Sequence, residues 1–216
     1  MNLPAATERY ITWLQQTIPE HLPVIVPVSG GSDSALCFWL LNAALPGRVR
    51  GIYCGDELRC GDWFDGIGTV EHTPIEINGH NPEVARWAYF LERALRDNAV
   101  LIGSHTKTER LLGTYSNASR AAMVQPLGET WKSDCIDLCR VVGITEEIIA
   151  SSKRPDAACG RPEAYAALEF SEIDDFLRLK IGEQPLSEVS SKTQAYLEEI
   201  YTSSAAKRHF PLLGPA

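Results

Sequence analysis

Ser29-Gly30-Gly31-Ser32-Asp33-Ser34 is the stretch of this chain whose residue types and spacing best suit chemistry, and that chemistry is anion handling. Two adjacent glycines let backbone N–H groups approach a phosphate and tolerate positive φ. Ser29, Ser32 and Ser34 add hydroxyl donors. Asp33 repels phosphate, so its presence makes sense if a divalent cation such as magnesium lies between the two. The bland alternative is a turn of small residues in which Ser and Asp cap a helix.

The surroundings decide between these readings. An apolar, β-branched run at residues 24–28 enters the turn, and an apolar helical segment at 33–44 leaves it. A helix starting there points its free N–H groups and positive dipole end at the same place. The Walker phosphate loop needs Gly-Lys-Ser/Thr, which does not occur in the chain. Ser-Gly-Gly-Ser-Asp-Ser resembles instead the pyrophosphate loop of the ATP pyrophosphatases, which cleave ATP between the α- and β-phosphates.

Two further segments carry candidate groups. Residues 99–102 read as a buried strand ending in Gly103-Ser104-His105, with a helix starting after it. Glu109 lies near that helix start, where it either suits the dipole or, facing the glycine loop, supplies a second carboxylate for magnesium. Lys132 follows Pro126-Leu127-Gly128-Glu129-Thr130-Trp131 and could neutralise the charge of a transferring phosphate.

The elements that must position these groups alternate. Helical spacing covers residues 5–16, 33–44, 83–97, 131–142 and 146–151, and strands are expected at 24–28, 49–54, 74–77, 99–102 and 124–127. Residues 55–68 are rich in Gly and Asp and read as loop. The alternation predicts an α/β fold: a doubly wound parallel sheet, Rossmann-like in three layers, with its ligand beyond the carboxyl ends of the strands. Helices at 171–179 and 188–203, with no strand, form a helical C-terminal part. The expected organisation is one domain over 1–216, with an α/β core at 5–150 and the helical part at 151–216.

Composition narrows the class. The chain has 216 residues, 44% hydrophobic and 22% charged, which suits an ordinary globular protein. A net charge of −8 argues against a nucleic-acid backbone as partner. No apolar run approaches membrane-spanning length, and Met1-Asn2-Leu3-Pro4 lacks the blocks of a signal peptide, so a cytoplasmic location and no membrane partner are expected. The six cysteines then read as free thiols, with Cys135 and Cys139 as small buried residues on one helix face.

The order of the motifs is more specific than any one of them. The glycine loop is followed by Gly103-Ser104-x4-Glu109, Gly113, Pro126-Leu127-x4-Lys132 and Lys153-Arg154-Pro155-x-Ala157, and then by Ile173-Asp174-Asp175-Phe176-Leu177 and Lys207-Arg208. This set resembles the ammonia-dependent NAD synthetase family over roughly residues 5–211, with the adenine nucleotide α-hydrolase-like fold. The resemblance implies an AMP- and pyrophosphate-forming ligase that uses ATP and magnesium to convert deamido-NAD and ammonia to NAD, built as a homodimer. Carried over residue by residue, Ser29, Gly30, Gly31, Ser32, Asp33 and Ser34 match the phosphate cradle. Asp33 and Glu109 match the magnesium carboxylates, Ser104 stands beside the ATP, and Lys132 matches an ATP-contacting lysine. Arg86, Asn117 and Lys207 fall at substrate-side positions.

The substrate half departs from that family. Asn117 replaces a lysine, Met123 an acidic residue and Ala206 a histidine; Asp156 stands where Thr or Ser is usual, and the family's Asp-Glu is not evident in Arg161-Pro162-Glu163. These departures keep open the same adenylation and amidation of a different carboxylate. Sulfur transfer through Cys159 and a non-catalytic nucleotide sensor are the remaining alternatives. The chain shows no glutamine-hydrolysing domain, so free ammonia or a separate amidotransferase is the expected nitrogen source.

Overall fold

The computed structural model describes residues 3–76, 81–154 and 163–208. Its centre is a four-stranded sheet, parallel throughout, in the order β3-β2-β1-β4: β1 is Val24–Pro27, β2 Val49–Tyr53, β3 Thr69–His72 and β4 Val100–Leu101. Val24 of β1 is in register with Val49 on one side and Val100 on the other. Helix α1 (Leu3–Thr17) leads into β1, α2 (Ser32–Ala44) crosses from β1 to β2, and α4 (Pro82–Arg96) returns from β3 to β4. The short α3 (Gly61–Asp65) lies between β2 and β3.

Side-chain alternation along β1 explains the three layers. Val24 and Val26 join the core with Ala35, Leu36 and Phe38 of α2 and with Leu14 of α1. Ile25, between them, points to the other face and packs with Ile52, Trp87, Phe90 and Ala94 under α4. All these strand residues are buried, as expected for a parallel sheet covered on both faces.

Beyond β4 come α5 (Lys107–Leu112), α6 (Lys132–Val141), α7 (Glu146–Ala150), α8 (Glu163–Ala166), α9 (Phe170–Lys180), α10 (Ser191–Ser203) and α11 (Ala205–Arg208). A third buried cluster joins Leu112 and Trp131 to Ile173, Phe176 and Leu177 of α9 and Leu197 of α10. The C-terminal helices are thus packed directly on the end of α5 and the start of α6. No helix of the described residues is long and apolar enough to cross a membrane.

Some expected elements move. The strand expected at 74–77 lies instead at Thr69–His72, where Glu71 pairs with Arg50 of β2 at 3.1 Å and with Arg93 of α4 at 2.9 Å. Pro74, which has no N–H to give a ladder, falls just after it. The strand expected at 124–127 reduces to one parallel bridge, Ile102 to Val124, with Pro126 ending the pairing. The expected loop at 55–68 contains α3, and α10 starts at Ser191, capped by the Ser190 hydroxyl.

Candidate active site

The sheet reverses its winding between β1 and β4, and the loops leaving these two strands border one cavity of about 390 Å³. It is the expected place for a ligand in a doubly wound sheet. Ser29, Gly31, Ser32, Asp33 and Ser34 of the 29–34 turn form its floor, and Gly30 lies behind them. Gly30 has φ +73°, and a Cβ there would sit 3.4 Å from both Arg59 and Leu58. Gly31 is the N-cap of α2, and no side chain caps that helix. Ser29 and Ser34 brace the turn: the Ser29 N–H donates to Ser34 Oγ at 3.2 Å, and Ser34 Oγ donates to the Gly31 carbonyl at 3.0 Å. The start of α2 therefore faces the cavity without an internal acceptor of its own, a geometry suited to phosphate.

Lys132, at the first position of α6, is 3% exposed. Its Nζ lies 2.5 Å from both oxygens of Asp33 and 3.2 Å from Ser32 Oγ. Burial alone would lower the pKa of such an amine; the carboxylates of Asp33 and Glu109 overcome it and hold the ammonium charged. Glu109 sits in a capping box at the start of α5, where its Oε2 accepts from the Thr106 N–H at 3.0 Å and the Thr106 hydroxyl at 3.1 Å. Burial and the nearby Asp33 push its carboxyl pKa up, opposed by Lys132. Glu109 serves its helix start and also lines the cavity.

Could these residues hold magnesium? Among the described residues no group of three or more His, Cys, Asp or Glu side chains could form a metal cage. Two carboxylates, Asp33 and Glu109, line the same cavity and feel each other's charge. That set fits magnesium, which keeps waters and binds through one or two carboxylates plus substrate phosphates.

Of the other residues singled out in the sequence, Ser104 and Arg86 line the cavity. Arg86 is paired with Glu83 at 2.5 Å on α4. Asn117 and Lys207 are not among the lining residues. Asn117 is exposed at the start of a 3-10 turn, Asn117–Ala121. Lys207 Nζ donates to the carbonyls of Gly113 at 3.0 Å and Tyr115 at 2.6 Å. Met123 is 56% exposed. Asp156, Cys159, Arg161 and Pro162 lie outside the described residues.

Several lining residues were missed. Trp87 and Phe90 share the cavity face of α4 with Glu83 and Arg86; the i, i+3, i+4 spacing would have shown it. Ser151 and Ser152 close over the glycine loop, where the Ser152 hydroxyl is hydrogen-bonded to that of Ser32 and Ser151 Oγ, which donates to the Ile148 carbonyl at 2.6 Å, lies 3.4 Å from the Gly30 carbonyl. Tyr115, Tyr165 and Phe170 add aromatic wall. His105 is stacked on Tyr115 with ring centroids 4.7 Å apart. The Ser119 hydroxyl donates to the Ser116 carbonyl, so at 2.8 Å it accepts from His105 Nε2 and leaves Nδ1 unprotonated. Burial lowers the His105 pKa to about 4.

Cys54 also lines the cavity, its thiol pushed up to about 11 by burial. Cys37, Cys135 and Cys139 are buried free thiols.

The NAD synthase family model matches residues 69–211. The chain is 27% identical to the NH(3)-dependent NAD(+) synthetase of Methanosarcina acetivorans over 192 aligned residues, covering 72% of this chain and 73% of that one. It is 27% identical to the protein of the same name from Thermoplasma volcanium, with 94% of each chain covered. In fold it resembles an NH3-dependent NAD synthetase from Campylobacter jejuni, at a TM-score of 0.78 and 19% identity over 100% of both chains. An NMN synthetase from Francisella tularensis gives 0.77 and 21% over 99% of both.

Proposed function

This chain belongs to the NAD synthase family, and we propose that it is an ATP-dependent amide ligase converting deamido-NAD and ammonia to NAD, with release of AMP and pyrophosphate. The observation that carries the reading is the buried Lys132–Asp33 pair beside the uncapped start of α2, with Glu109 on the same cavity.

A carboxylate oxygen of the acid attacks the α-phosphorus of ATP. The bond to pyrophosphate breaks, and an acyl-adenylate forms. Ammonia then attacks the acyl carbon, AMP leaves with the carboxylate oxygen, and the nitrogen loses a proton to water. The backbone N–H groups and hydroxyls of residues 29–34 hold the phosphates, and Ser104 lies beside them. Lys132 offsets charge on the phosphates as the bond to pyrophosphate breaks. Asp33 and Glu109 would hold magnesium, which when bound supplies further charge neutralisation at the phosphates. No nucleophilic side chain is required.

Arg86 and the aromatic face of Trp87 and Phe90 are assigned to the acid. Lys207 acts on this wall indirectly, by tying Gly113 and Tyr115 in place, and Asn117 has no assigned contact. We take the chain as one domain, homodimeric and cytoplasmic, supplied with free ammonia or with ammonia from a separate amidotransferase.

A second reading keeps the chemistry and changes the acid. It is favoured by the exposure of Asn117 and by the engagement of Lys207 with backbone carbonyls, which leave Arg86 as the described cation on the cavity besides Lys132. The test is a panel of acids, including those whose amides are NAD and NMN, assayed with ATP, magnesium and ammonia for pyrophosphate and amide. Stoichiometric NAD from deamido-NAD supports the first reading. Preferred turnover of the mononucleotide acid supports the second, and no pyrophosphate with any acid refutes both.

A further inference from the structure

Asp174 of α9 is 1% exposed and lies outside the cavity lining, yet it is bonded to both helices that carry the reactive cavity residues. Its Oδ1 accepts from Thr108 Oγ1 at 2.5 Å. Its Oδ2 accepts from the Ser133 N–H at 2.9 Å and from Ser133 Oγ at 2.6 Å. Thr108 Oγ1 in turn accepts from the Lys132 N–H at 2.8 Å. The two segments are also joined directly, Lys107 N–H to the Thr130 carbonyl at 2.8 Å. Thr108 precedes Glu109, and Ser133 follows Lys132.

We infer that Asp174 is a positioning residue for the adenylation proposed above: one buried carboxylate fixes the starts of α5 and α6 against each other, and so sets Glu109 and Lys132 around Asp33. Three features make it suited to this. A carboxylate accepts all three donors at once, which no neutral side chain of its size can do. Its bonds to N–H and O–H donors at a helix start are charge-assisted, shorter and stiffer than neutral ones. The helix bearing it is anchored by Ile173, Phe176 and Leu177 in the third buried cluster, so the clamp is held from a separate element. The C-terminal helices thereby become part of the reactive geometry rather than an appendage packed on it. A misplacement of Lys132 Nζ by about 1 Å is enough for a loss on the order of 100-fold in rate.

The test is a double-mutant cycle on the full chain with Asp174→Asn and Lys132→Gln. It is read both as single-turnover pyrophosphate release and as the dissociation constant of magnesium-ATP by calorimetry. The expected result is a 10- to 100-fold loss of kcat in Asp174→Asn, with secondary structure kept and KM for the acid changed less than threefold, on the scale of one removed charge-assisted hydrogen bond. In the Lys132→Gln background, Asp174→Asn should cost less than threefold further. Unchanged kcat in the folded single variant, or equal losses in both backgrounds, overturns the inference and makes Asp174 a matter of stability alone. If wild type binds magnesium-ATP but releases no pyrophosphate, the ligase reading fails. The cycle in dissociation constants still judges the clamp, which then requires weaker binding in Asp174→Asn but no further weakening when Asp174→Asn is added to Lys132→Gln. Ser133→Ala, which removes the hydroxyl donor to Asp174 and leaves the Thr108 bonds in place, replaces Asp174→Asn in the same cycle if the latter does not fold.

Discussion

Lys132 Nζ sits 2.5 Å from each oxygen of Asp33, so one buried ammonium faces both arms of the carboxylate. The pair joins α6 to the first turn of α2, across 99 residues of sequence. It therefore serves stability and the site together. Removing one partner leaves a charge in a place built for two.

Lys132→Met should destabilise the protein by about 3 kcal/mol, because Asp33 is left without its cation and close to the second carboxylate, Glu109. Adding Asp33→Asn should recover at least half of that loss while both variants stay at least about 100-fold down in pyrophosphate release. Urea unfolding read alongside the activity assay separates the two effects. Additive destabilisation in the double variant would show that the pair does not interact as described.

The pH dependence of stability should carry a His105 signature. Burial lowers this imidazole from 6.5 to about 4, with Arg110, Lys207 and Arg120 acting in the same direction and Asp33 against it. Between those values the folded protein binds fewer protons than the unfolded chain. The contribution is therefore complete above pH 6.5 and is lost as the pH falls toward 4. Its size is about 3 kcal/mol at 1.36 kcal/mol per pKa unit. Glu109, raised by burial and Asp33, titrates with the opposite sign above its ordinary value of 4.5, so wild type alone does not isolate His105. His105→Gln should flatten the difference in unfolding free energy across this window. Parallel curves for wild type and variant from pH 7 to 4.5 would show that His105 titrates normally.

The parts of the site that lie close together in the chain were legible from sequence. The 24–34 strand and turn form one contiguous unit, and residues 99–109 form another; their residue types dictate the local structure, and parallel pairing brings them side by side. What escaped depends on contacts between distant segments. Thr69–His72 is a strand because Glu71 meets Arg50 and Arg93, whereas residues 74–77 look equally strand-like until the pairing is known. Ser151 and Ser152 are unremarkable serines until α7 brings them over Gly30 and Ser32. Asp174 belonged to a recognisable family segment, but nothing local marks a carboxylate that closes two other helix starts. Asn117 was placed by alignment alone; the 3-10 turn that carries it leaves it exposed, with Ser116 and Ser119 lining the cavity instead.

Gly30→Ala should separate backbone from side-chain demands in the phosphate turn. A Cβ at φ +73° costs on the order of 1–2 kcal/mol, and its nearest neighbours at 3.4 Å, Arg59 Cβ and Leu58 Cδ1, leave ordinary contact distance rather than a clash. The cost is therefore conformational, and the chain can relieve it by rotating the Gly30–Gly31 peptide away from the geometry that faces the cavity. The expected outcome is a modest fall in stability with a larger, roughly tenfold or greater, weakening of ATP binding. A variant that loses stability but binds ATP as wild type does would show that the Gly30 backbone is not part of the cradle.

Cys54 offers a readout of cavity occupancy that does not depend on turnover. It lies just beyond the carboxyl end of β2 and lines the cavity, with its thiol pushed up to about 11 by burial. Burial likewise raises Cys37 and Cys135 well above the ordinary thiol range and takes Cys139 to about 12. Because the thiolate is the reactive form, a thiol-specific reagent at pH 8 should label Cys54 slowly in the native protein and leave these three untouched until unfolding. Magnesium-ATP together with the acid substrate should slow Cys54 labelling at least about fivefold by occupying the cavity, while the partly buried Cys60, which is not among its lining residues, keeps its rate. Site-resolved mass spectrometry of labelled peptides makes the comparison within one sample. Equal labelling of Cys54 with and without ligands would mean that they bind elsewhere, and would remove this cavity from the proposed reaction.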